Sequence, residues 1–151
     1  MRKALWLFAV WFVSVCGQAQ EVSVEFLTPR IVHVVKGQPT KSLVVTAKPE
    51  SVAAVQKGNS WSSSELMVRL DPATKCLTFL TVKGRVLLRE KGCDVSQVRQ
   101  TFTLDKDEAI YGLGTIQNGK MNRRGESKRM EQSNLEDFQN VLQSIKGWGL
   151  Y

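Results

Sequence analysis

Apolar and polar residues alternate with a period of two along most of this chain. Val22, Val24 and Phe26 alternate with Ser23 and Glu25, and Ile31, His33 and Val35 alternate with further β-formers, Val32 and Val34. Such runs, rich in β-branched residues, predict half-buried strands. Pro29 separates the two runs, and Gly37-Gln38-Pro39 ends the second. Leu43 to Ala47 predicts a third short strand. Lys48 to Ser64 is polar and serine-rich, with Pro49 and Gly58, and predicts a loop or a weak strand. Trp61 within it has two readings: a lid on the core, or an exposed platform on which a sugar ring stacks.

The clearest local pattern follows. Leu66, Val68 and Leu70 alternate along Glu65 to Leu70. Asp71-Pro72-Ala73-Thr74 suits a type I turn, with Asp first and Pro second. Cys76 to Val82 returns, Lys83-Gly84 predicts a tight two-residue turn, and Arg85 to Glu90 forms the next strand. If Val82 faces Arg85 across that turn, Cys76 faces Lys91 and Cys93 lies at diagonal distance, so a Cys76–Cys93 disulfide is expected. Gln97 to Leu104 is a further alternating strand, and Asp105-Lys106-Asp107-Glu108 a charged turn. Beyond the first twenty residues no segment has the i, i+3, i+4 spacing of a long amphipathic helix, apart from a weak turn near Leu135–Phe138. The pattern predicts an all-β sandwich lacking some of its strands.

The first residues carry a different pattern. Arg2 and Lys3 precede an apolar run from Ala4 to Val15, too short to favour a membrane span, and Gly17-Gln18-Ala19 offers small residues for a signal peptidase. Residues 1–19 are therefore expected to form a signal-peptide helix, cleaved after Ala19, and residues 20–151 the mature domain, periplasmic or secreted with no membrane span after cleavage. Cys16 raises lipoprotein anchoring as an alternative, disfavoured because Val15 is bulky where that signal takes Gly, Ala or Ser.

Charge changes little. Losing Arg2 and Lys3, two of the 21 basic residues set against 14 acidic ones, takes the net charge from +7 to +5. Much of the excess is Lys120, Arg123, Arg124, Lys128 and Arg129, which alternate with Gly, Asn and Glu as a solvated loop would. No aromatic ladder accompanies them, so nucleic acid is not an expected partner. Two cysteines in the mature chain are too few for a disulfide scaffold, and with the single histidine, His33, they make a poor metal site. Neither a metal nor a cofactor is expected.

The last third holds the most specific motifs. Phe102-Thr103-Leu104 is followed by Glu108-Ala109-Ile110-Tyr111-Gly112-Leu113-Gly114, then by Asn118-Gly119, Asn122 and Arg124-Gly125. The chain closes with Ser144, Gly147-Trp148-Gly149, Leu150 and Tyr151. This ordered set resembles the end of the N-terminal β-domain of glycoside hydrolase family 31, the α-glucosidase and α-xylosidase family. Gly84 with Leu87-Leu88-Arg89-Glu90 is similar to an upstream strand of the same family. Trp148 stands where that family more often has Tyr or Phe. Physically, Gly112 and Gly114 let the backbone turn tightly or approach another segment closely. A phosphate-cradling loop would need a third glycine and a following helix, and neither is present.

The resemblance implies a galactose-mutarotase-like β-sandwich that supports a retaining α-glycosidase acting on terminal α-linked sugars. Such chemistry uses two carboxyl groups about 5–5.5 Å apart. In that family both are aspartates on a barrel of roughly 250 residues that follows this domain. With no barrel after Tyr151, the chain is expected to be a truncated support domain with no catalytic residue of its own, its missing partner the barrel and its ligand, through the parent enzyme, a carbohydrate. An apolar face left uncovered would make it poorly soluble. The resemblance also implies that the loop before the closing strand helps shape the sugar pocket. That loop includes Gln132, Asn134, Asp137 and Phe138: the first three could hydrogen-bond sugar hydroxyls and Phe138 could line the pocket, or the loop is simply exposed with Phe138 packed on the sandwich. Two other classes stay open. One is a stand-alone secreted carbohydrate-binding sandwich that stacks sugars on Trp61 or Trp148. The other is a cell-envelope β-domain with a protein partner.

Overall fold

The computed structural model describes residues 22–37, 51–94, 99–134 and 136–151. The predicted signal peptide, the predicted strand at Leu43–Ala47 and Leu135 of the predicted turn lie outside them. Among the described residues eleven strands form three antiparallel sheets and no helix occurs. The first sheet pairs β1 (Val22–Thr28) with β2 (Ile31–Lys36). The second runs in chain order through β3 (Val55–Lys57), β4 (Ser60–Ser62), β5 (Leu66–Leu70), β6 (Leu77–Thr81), β7 (Val86–Asp94) and β8 (Arg99–Thr103). The third orders β9 (Ile110–Gly112), β10 (Leu142–Ser144) and β11 (Gly149–Leu150) as β11-β10-β9. None of the sheets closes into a barrel, and the all-β expectation holds.

The alternation read from the chain places the core. Phe26, Leu66, Val68 and Leu77 form a buried cluster, with Val22, Val24, Val32, Val34, Leu70, Phe79 and Leu87 packed against it. The β1–β2 hairpin is thus one layer laid on the larger sheet. Val68 and Leu77 are wholly buried, each contributing about 1.5–3 kcal/mol of apolar transfer. Trp61 packs against the same cluster, which is the core-lid reading of that residue.

Polar contacts pin the hairpin at both ends. At its turn, Ser63 Oγ donates to the Pro29 carbonyl at 2.6 Å, and Thr28 Oγ1 accepts from the amides of Arg30 and Ile31. At the far end, Lys36 Nζ meets the buried Glu90 Oε2 at 2.5 Å and donates to the Lys75 carbonyl at 2.8 Å. Glu90 Oε2 also accepts from the Leu77 amide at 2.8 Å. The layers are therefore joined by apolar contact in the middle and by hydrogen bonds at the ends.

The 48–64 stretch takes the strand reading in its described part, where the short β3 and β4 form a hairpin with Lys57 paired to Ser60. Gly58 sits first in the two-residue turn at φ 55°, a position that a type II′ hairpin reserves for glycine. The Lys83-Gly84 turn has three residues, not two. Gly84, at φ 86°, donates to the Thr81 carbonyl and the Thr81 amide to the Arg85 carbonyl, each at 2.9 Å. Leu80 then faces Val86, and a bulge between Phe79 and Leu80 brings Thr78 opposite Arg89. That deeper register is the one the two-residue turn predicted, since turn and bulge shift the pairing in opposite senses. Cys76 is half-buried; the side chain of Cys93, and with it the expected disulfide, lies outside the described residues.

Candidate functional site

The Gly112-Leu113-Gly114 segment is three consecutive left-handed residues, at φ 111°, 65° and 85°. A Cβ on Gly112 would lie 2.2 Å from the Val141 carbonyl oxygen, and one on Gly114 would lie 2.0 Å from that of Asp137. Glycine is required at both, by backbone angle and by close approach. Leu113 has no such freedom, and its conformation costs about 1–2 kcal/mol. It is held there by its own amide, which donates to the Val141 carbonyl at 2.8 Å. Thr115 then bridges Asp137, its amide donating to the Asp137 carbonyl at 2.7 Å and the Asp137 amide returning at 3.2 Å. The glycines thus let the chain leave on a long excursion at Thr115 and rejoin the same ladder at Asp137.

Glu108 lies beneath this ladder, 3% exposed, and gathers the motif residues. Its Oε1 accepts from Trp148 Nε1 at 2.8 Å and from the Ser144 hydroxyl in a short hydrogen bond. Its Oε2 accepts from the Asp105 amide at 2.9 Å. Arg124 Nη1 donates to the carbonyls of Asp105 (2.7 Å) and Glu108 (2.9 Å), tying the excursion to the same point. Asn122 Oδ1 adds an anchor by accepting from the Ile110 amide at 3.1 Å. Glu108, Ser144 and Trp148 were legible as motif letters, but their convergence on one carboxylate was not. The indole N–H of Trp148 is consumed here, inside the fold.

The four residues expected to face a sugar behave differently from one another. Gln132 closes the loop on itself: Nε2 donates to Asp137 Oδ1 at 2.9 Å and to the Phe138 carbonyl at 3.3 Å, while Oε1 accepts from the Phe138 amide at 3.0 Å. Asn134 and Asp137 are exposed and Phe138 is half-buried. The loop therefore brings Gln132, Asp137 and Phe138 together, with the Asp137 backbone held in the Thr115 bridge. Its other acids form ion pairs: Glu131 with Arg129 at 2.7 Å and Glu136 with Lys128 at 3.4 Å. Glu126 is paired with Arg123 at 3.2 Å and Lys120 at 3.4 Å. Partial desolvation opposes charge on Glu126, but hydrogen bonds from Arg123, Asn118 and Lys120 outweigh it and hold its carboxyl below the usual carboxylate range. The basic run of this loop is thus largely neutralised by its own acids. A shallow depression lined by Asp105, Lys106, Asp107, Glu108, Ile145 and Lys146 lies on other residues altogether.

With this arrangement, the chain superposes on parts of two solved α-xylosidases. One is the GH31 α-xylosidase from Xanthomonas citri, with a TM-score of 0.72 and 22% identity. The other is a GH31 α-xylosidase from a soil metagenome, solved with xylose, with a TM-score of 0.68 and 19% identity. The chain has the fold of part of a GH31 α-xylosidase. The matches take in 88% and 87% of this chain but 17% and 25% of the two enzymes. This chain thus spans about a fifth of the length of those proteins. No family model matches the sequence, and no curated protein does. The fold shared with the GH31 enzymes covers both the sandwich and the Glu108 module, since 88% of 151 residues cannot be supplied by either alone.

Proposed function

We propose that this chain is the N-terminal support domain of a retaining α-glycosidase of α-xylosidase or α-glucosidase type, acting on terminal α-linked sugars. The observation that carries this is the overlap of nearly the whole chain with a GH31 α-xylosidase at a TM-score of 0.72. The motif residues add to it, because Glu108, Gly112, Gly114, Ser144 and Trp148 cooperate in building one module. Retaining hydrolysis needs a nucleophile and an acid/base about 5–5.5 Å apart. The carboxylates of the 126–136 stretch are held in ion pairs instead, and Glu108 is enclosed by its donors. On this reading both catalytic groups lie on a separate barrel domain, and this domain supplies a scaffold. Within it, exposed Asn134 and Asp137 are left to reach a sugar hydroxyl, with Gln132 spent on the loop and Phe138 half-buried.

Two results test the proposal. DNA reading on from the Tyr151 codon should encode a barrel, in frame or after a single shift; its absence in every frame sinks the assignment. The purified chain should release no p-nitrophenol from α-xyloside or α-glucoside substrates, and turnover that tracks the pure protein would overturn the scaffold role.

A further inference from the structure

Asn118-Gly119 opens the excursion and plays no part in the sugar-loop assignment. Asn118 and Gly119 are both exposed. Gly119 has φ 70°, and nothing lies within 4 Å of where its Cβ would be. Around Asn118 the side-chain amide is unusually well surrounded. Oδ1 accepts from the Lys120 amide at 3.2 Å, an Asx turn that folds the side chain over the Gly119 peptide, and from Arg123 Nη1 at 3.0 Å. Nδ2 donates to both oxygens of Glu126, at 3.0 and 3.3 Å. The amide of Gly119 donates to no atom of the described residues.

We propose that Asn118 is a self-modification site, deamidated by attack of the Gly119 nitrogen on its own side-chain carbonyl carbon. Loss of the Gly119 amide proton to solvent base frees the nitrogen. Its lone pair forms the N–Cγ bond, and the Cγ=O electrons move onto Oδ1. Collapse of that oxyanion breaks the Cγ–Nδ2 bond, the nitrogen takes a proton from water, and ammonia leaves. Water then opens the cyclic imide at either carbonyl, giving Asp or isoAsp at 118. The two donors on Oδ1, one of them a guanidinium, stand where the negative charge develops, as an oxyanion hole does. The Asx turn folds the Asn118 side chain back along the Gly119 peptide and limits its rotation, so part of the ordering cost is already met in the folded state. The unobstructed Gly119 admits base from solvent. The product places a second carboxylate beside Glu126, whose carboxyl is held in the charged form by the same neighbours. Loss of the Asn118–Glu126 bonds would loosen the start of the excursion.

The test holds the purified chain at mildly alkaline pH and 37 °C and follows the peptide containing Asn118 by mass spectrometry, for the mass gain of an amide-to-acid exchange. The same chain unfolded in guanidinium chloride is the reference. Folded protein should react faster than the unfolded chain, by roughly threefold or more, well below what an enclosed oxyanion hole supplies because Asn118 itself is exposed to water. An equal or slower rate in the folded protein overturns the proposal. Arg123→Met should bring the folded rate down toward the unfolded one. A folded rate unchanged by that substitution also overturns the cradle, and the wild-type comparison stands by itself if the variant does not fold.

Discussion

Among the described residues two glutamates are buried, Glu90 between the layers of the sandwich and Glu108 against the terminal three-stranded sheet, and they are satisfied in opposite ways. Glu90 meets one cation, Lys36, and one amide, Leu77, both through Oε2, while its buried Oε1 has no partner among the described residues. Glu108 uses both oxygens on three donors, the Ser144 hydroxyl, the Trp148 indole and the Asp105 amide, with Lys146 Nζ 4.0 Å away. The first is an ion pair that joins two layers built from distant parts of the chain. The second is a hydrogen-bonded hub that joins a turn to a hairpin. A buried pair contributes little net stability when intact, yet breaking one half leaves a charge without compensation. A hub spreads the same desolvation over several neutral donors, so losing one contact costs one hydrogen bond.

Lys36→Met should have the largest effect, lowering stability by about 3–5 kcal/mol in guanidinium unfolding. Adding Glu90→Gln should recover most of that loss, because the amide oxygen still serves the Leu77 N–H without a buried charge. A loss below about 1 kcal/mol for Lys36→Met, the range of an exposed pair, would erase the contrast with Glu108. Gly114→Ala should come next, at about 3 kcal/mol, because its φ is strained and its Cβ would strike the Asp137 carbonyl. Gly119→Ala, strained in angle but open in space, should cost only about 1 kcal/mol; equal losses at the two would mean that close approach is not what requires Gly114. Glu108→Gln should cost about 1–3 kcal/mol, since an amide nitrogen replaces one of the two accepting oxygens. A loss exceeding that of Lys36→Met would reverse the ranking of the two glutamates.

The smallest effect concerns the Asp71 turn, outside both buried sites. Hydrogen bonds from the amides of Thr74 and Ala73 hold the Asp71 carboxyl below the usual carboxylate range. A group whose folded pKa is depressed stabilises fully above its unfolded value, about 3.9, and loses that contribution as pH falls through the folded value. Wild type should therefore exceed Asp71→Asn in unfolding midpoint near neutral pH, and the gap should close below about pH 4. A gap that persists in strong acid would assign the stabilisation to the turn's shape and not to its charge.

Strand positions were the most legible feature. β1, β2, β5 and β8 fall where the alternation placed them, because a half-buried sheet imposes a period of two on any sequence that forms it, and β6 falls where the Asp71 turn returns the chain. The β3–β4 hairpin was less legible, since Gln56-Lys57-Gly58-Asn59-Ser60 carries turn chemistry but no apolar alternation, and all of β3 is exposed. The β6–β7 pairing shows how two local errors can cancel: an extra turn residue and a bulge leave the deeper register where a simple count puts it. At the loop, the chain named Gln132, Asp137 and Phe138 as neighbours in sequence. That Gln132 spends its whole amide on the other two needed the loop's closure, which no spacing rule specifies.

Read alone, then, the residues determine the class of fold, the faces of its strands and the glycines at which backbones must nearly touch. These follow from local sterics and from periodicity, which act between near neighbours. Which charges become buried is a property of assembly. Lys36 and Glu90 lie 54 residues apart, and Glu108 lies 36 from Ser144 and 40 from Trp148. Along the chain each is an ordinary polar residue. Only when the layers close and water is excluded does Glu90 come to depend on a single cation and Glu108 become the point on which the terminal module is built.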